Sequence, residues 1–133
     1  RLMAGDTSTR WVIFGHADSG LTSLVLFAHG PGGLQDLLDH LDPAGVQFAG
    51  LCVVASDGHS QRLKLVSIFH ASSSAPIRLR AAATQQKSAV ASMLMTAAHV
   101  HFEVAAVTDV THDDVAKKLL ASGGAHAATS FEF

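Results

Sequence analysis

Nine histidines and one cysteine are the side chains most able to do chemistry in this sequence, and their spacing decides whether they do. His99 and His101 form the tightest pair, placed to share one face of a strand. No cysteine or third histidine follows at a zinc-ligand spacing, so they read as surface histidines rather than a metal site. Cys52 lies inside the apolar run Val46–Ala55, where a small buried hydrophobe fits better than a catalytic thiol. His29-Gly30-Pro31-Gly32-Gly33 stands between a predicted strand and a predicted helix, where backbone amides can cradle an anion. It lacks the Lys-Ser/Thr ending of a phosphate loop, and no Gly-x-Ser-x-Gly elbow accompanies it. A plain strand-to-helix turn explains it; the alternative is a ligand pocket or enzyme site built with His29, Asp36 and His40.

The cations are more informative. Arg62 and Lys64 alternate with Leu63 and Leu65, so they share one strand face with Val66 and Ile68 while Leu63, Leu65, Ser67 and Phe69 take the other. Arg80, Thr84, Lys87, Ala91 and Met95 recur at helical spacing, about a hundred degrees around the axis from a core stripe of Leu79, Ala83, Gln86, Val90, Met93 and Ala97. Two cations among small residues suit either a solvated helix face or a surface that rests on an acidic protein groove.

The elements that must position these residues follow from periodicity and turn chemistry. Trp11–Phe14 reads as a strand ended by Gly15, and Leu21–Ala28 as its partner across the Asp18-Ser19-Gly20 turn. Leu34, Leu37, Leu38 and Leu41 give a short helix stopped by Asp42-Pro43-Ala44-Gly45. Val46–Ser56 is long and apolar enough for a central strand, and beyond Asp57-Gly58 the segment Arg62–Phe69 pairs with it. Pro76 opens a long alanine-rich helix over Ile77–Ala97, Val100–Ala106 is a fifth strand, and Thr111–Ala121 is a closing helix. Asp113 and Asp114 near its start, Lys117 and Lys118 nearer its end, and Gly123-Gly124 beyond it all suit the helix dipole and cap. The order predicts a mixed α/β fold, with a central five-stranded sheet flanked by helices, in a single domain over 1–133.

Composition narrows the function. With 48% hydrophobic and 15% charged residues, the chain can build a core without a disulfide staple. A net charge of −2 gives no overall field to hold nucleic acid or a membrane surface. No apolar stretch spans a bilayer, the amino terminus has no signal-peptide core, and a lone cysteine fits a reducing compartment, so a cytoplasmic protein is expected.

Four segments together resemble the coactosin branch of the cofilin-homology family. Ser60–Ile68 is similar to the family strand with its Ser-Lys-Arg-Ser-Lys core, and Arg80-Ala81 through Lys87–Val90 to the start of its long helix. Ala121–His126 resembles its Ala-Gly-Gly-Ala-Asn ending, and Trp11–Phe14 its first strand. The similarity runs from about residue 10 to 128 in colinear order. Ala82 and His70 stand where the family usually carries lysine and tryptophan, and Arg1–Ala4 would be the tail of a family first helix that is otherwise shortened or absent.

The resemblance implies a cofilin-homology fold and binding to actin filaments without catalysis or cofactor. Lys64 matches the strand lysine on which filament binding depends in that branch, and Arg80 and Lys87 match basic positions on the long helix. Arg62 belongs to the same strand patch, where an acidic substitution at either Gln61 or Arg62 is expected to repel the filament. Within the same fold, binding to monomeric actin or to another actin regulator is the alternative; self-association is a further one.

Overall fold

The computed structural model describes residues 9–16, 24–56, 61–94, 100–122 and 130–132. In chain order these form β1 (Trp11–His16), β2 (Leu24–Gly30), α1 (Leu34–His40), β3 (Val46–Ser56), β4 (Gln61–Ala71), α2 (Ile77–Leu94), β5 (Val100–Val104), a 3-10 turn (Val107–Asp109), α3 (His112–Ser122) and β6 (Ser130–Glu132). The strands lie in the order β2-β1-β3-β4-β5, with β6 on the end of β3. Only β4 and β5 run parallel, because the long helix α2 carries the chain back between them. The mixed sheet is as expected, and β3 spans the segment read from its apolar run. β6, beyond Gly123-Gly124, is an addition to the five expected strands; its three residues have too little pattern to stand out in the sequence. The turns at 17–20 and 57–58, the end of the long helix beyond Leu94, the closing glycines and the segment 1–4 lie outside the described residues.

Two apolar cores sandwich the sheet. On one face, Leu34, Leu37 and Leu41 of the α1 region and Val115 and Leu119 of α3 bury Trp11, Ile13, Leu51, Val53, Val66 and Ile68. On the other, Ala83 and Val90 of α2, with Leu79 partly buried, cover Val46, Phe48 and Phe69. Phe48 and Phe69 stack with centroids 5.0 Å apart. The stripe predicted for the long helix therefore faces the sheet where it is described. Thr111 caps α3, its Oγ1 accepting from the Asp114 amide at 3.1 Å.

β2 continues through His29 and Gly30 instead of breaking at His29. A Cβ on Gly30 would sit 2.7 Å from the Trp11 ring, so glycine lets the strand run beneath the indole. Trp11 Nε1 donates to Asp36 Oδ2 at 2.8 Å, and the Trp11 and His40 rings lie 4.9 Å apart. The loop at 29–33 thus serves to seat α1 on β1.

Candidate functional site

The β3–β4 pairing is antiparallel along its full length, with Lys64 opposite Val53, Arg62 opposite Ala55 and Gln61 opposite Ser56. β5 joins β4 only from Val66 to His70. Among the described residues, the stretch Gln61–Leu65 is therefore bordered by β3 alone, and the hairpin end projects past the edge strand. Gln61, Arg62 and Leu63 are exposed there and Lys64 is half-buried. Among the described residues neither Arg62 nor Lys64 has a charged partner within reach, so both cations are available to an outside ligand.

Strand alternation puts Arg62 and Lys64 on the α1/α3 face: Val53, Val66 and Ile68, which share their side, belong to that core. Arg80 and Lys87 ride on α2, on the opposite side of the sheet. The four predicted residues therefore form two basic pairs, not one continuous patch. Arg80 is half-buried, and Thr84 between the helical cations turns its hydroxyl back to the Arg80 carbonyl at 2.8 Å. Lys87 is engaged: its Nζ lies 2.8 Å from Glu103 Oε1 on β5, both groups partly open to water. A groove of about 210 Å³ runs between α2 and β5, with the buried Phe48, Phe69 and Val90 along it and Lys87, His101 and Glu103 at its open side.

Glu103 went unnoticed in the sequence. The signal was present in Val-His-Phe-Glu-Val, whose alternation puts His101 and Glu103 on the face opposite the core residues Val100 and Phe102. Lys118, read as a dipole cation, turns to the sheet instead. It donates to the His101 carbonyl at 2.8 Å and lies 4.6 Å from the Phe102 ring centroid.

The other chemical candidates resolve into structure. Cys52 is buried, and burial raises its thiol pKa above 9.0 against the opposing pull of Arg10, which disfavours the reactive thiolate. His101 is exposed, His99 lies outside the described residues, and no group of three metal-ligand side chains occurs among the described residues. At the 29–33 loop, a Cβ on Gly32 would clash with Asp36, so a carboxylate already occupies the space an anion would need. His70 is fully buried; its Nδ1 donates to Gln47 Oε1 at 2.8 Å, while Nε2 has no partner among the described residues. Burial lowers its pKa, against the opposing pull of Asp42 and Asp109. None of the described helices is long and apolar enough to cross a membrane.

Residues 1–120 match the family model for cofilin/tropomyosin-type actin-binding proteins. Coactosin of Entamoeba histolytica is 29% identical over 116 residues, which cover 86% of this chain and 77% of that protein. Its crystal structure superposes with a TM-score of 0.84 at 26% identity, covering 93% and 88% of the two chains. The solution structure of human coactosin-like protein shares the fold, with a TM-score of 0.74 at 19% identity over 97% of this chain and 86% of that one.

Proposed function

The chain belongs to the cofilin-type actin-binding family, and on that premise we propose that it binds actin filaments without catalysis, as a regulator located on the actin cytoskeleton. Lys64 leads the contact, with Arg62 beside it on the hairpin and Arg80 and Lys87 in support on α2. The observation that carries this reading is the projecting end of β4, where two cations stand on a strand paired to β3 without charged partners among the described residues. A cation on an ordered strand adds no backbone ordering cost on docking, and against an acidic filament surface it sets register and on-rate. Actin is the partner; no cofactor takes part.

Co-sedimentation with actin filaments at low and moderate salt tests the proposal. Wild type is expected to pellet in a salt-sensitive manner, and Lys64→Ala to lose roughly tenfold in affinity, the scale of an interface residue that matters. Equal pelleting of the two proteins would displace the site from β4. Absence of wild-type pelleting with retained binding to fluorescent monomeric actin would move the function to monomers.

A further inference from the structure

Lys87 and Glu103 come from different elements and lie 16 residues apart in sequence, yet their charged atoms meet at 2.8 Å. Lys87 is about a third exposed and Glu103 more than half, so both remain reachable by a partner. Resting on the filament-binding reading above, we infer that Glu103 is an intramolecular competitor for Lys87 that weakens and sharpens binding to an acidic surface. An acidic partner must take Lys87 away from a carboxylate that is already in place, and it then faces Glu103 as a like charge. A less acidic surface cannot repay both costs, so the pair selects for strongly acidic partners. Arg62 and Lys64 have no such competitor among the described residues. His101 lines the same groove, and Lys118 is turned to the His101 carbonyl, so Glu103 is the only carboxylate that lines this groove among the described residues.

Removing the competitor should therefore improve binding, the reverse of what most surface changes at an interface do. Glu103→Gln keeps the side chain's size and an acceptor oxygen but removes the charge. The expected result in filament co-sedimentation is an affinity gain of about two- to fivefold at low salt, the range of an exposed ion pair, fading as salt rises. Lys87→Ala is expected to lose a similar factor, and Glu103→Gln in the Lys87→Ala background to gain clearly less than it does in wild type. A Glu103→Gln protein that binds no tighter than wild type overturns the inference, and so does an undiminished gain in the Lys87→Ala background. The pair is also read without actin, as the rate at which an amine-specific reagent labels Lys87, followed by mass spectrometry. Faster labelling in Glu103→Gln supports the pairing, and an unchanged rate overturns it. Failure of the wild type itself to pellet, with the labelling difference intact, overturns the filament reading rather than the pair.

Discussion

The two ends of strand β4 are built from similar alternations but live under opposite rules. Its first four residues, Gln61–Lys64, border only β3 among the described residues and carry two cations into water. Its last six, Val66–Ala71, are paired on both sides for most of their length and packed under helices on both faces, and the titratable group there, His70, is buried. Charge is tolerated where water can solvate it and excluded where it cannot, so one strand supplies a binding end and an anchoring end.

The comparison breaks most visibly if a charge is moved from one end to the other. Val66→Lys would place an ammonium at a fully buried site, and is expected to cost about 4 kcal/mol or more and to leave much of the protein unfolded. Chemical denaturation monitored by circular dichroism checks this; a folded variant of near wild-type stability would refute the division.

Lys64→Ala comes next, and it should act on binding alone. The roughly tenfold affinity loss should be accompanied by a stability change within about 0.5 kcal/mol, since the half-buried lysine makes no described hydrogen bond or ion pair. A large drop in melting temperature would show that Lys64 belongs to the anchoring end.

Acid should probe the buried end. His70 is kept neutral by burial, so its folded pKa lies below the usual 6.5 and the unfolded chain binds the extra proton first. Stability is therefore expected to hold above pH 6.5 and to fall as pH drops through and below that value, by at most about 1.4 kcal/mol per unit from this group. Melting temperatures from pH 7.5 to 5.5, compared with those of a His70→Phe variant, isolate the contribution from the other histidines. The variant should lose less on acidification; an equal loss would assign the pH dependence elsewhere.

The gentlest test is an acidic substitution at the exposed end. Gln61→Glu or Arg62→Glu is expected to weaken filament binding about threefold through repulsion while leaving the fold unchanged, because both side chains face water. Unchanged pelleting would narrow the footprint to Lys64 and the residues beyond it.

Much of this organisation was legible in the chain. Val46–Ser56 announced itself by length and apolarity, the helical stripe through Leu79, Ala83 and Val90 by its period, and the α3 start by Thr111 with two acids after it. Arg62 and Lys64 leave β4 on the side of Val66 and Ile68, as the sequence predicts, because side-chain direction on a strand follows from counting alone. His70 was legible as a departure from the family pattern, but its burial against Gln47, 23 residues away, was not.

What the sequence by itself determined is the set of elements, their order and the face on which each side chain leaves its own backbone. These follow from periods of two and 3.6 residues and from turn chemistry, all of which act between near neighbours. The tertiary structure alone decided that the strand cations and the helix cations lie on opposite sides of the sheet, that among the described residues β5 borders β4 only from Val66 onward, and that Lys87 meets Glu103. Those outcomes depend on which distant strands pair and in what register, and register is set by the packing of whole faces rather than by any local signal.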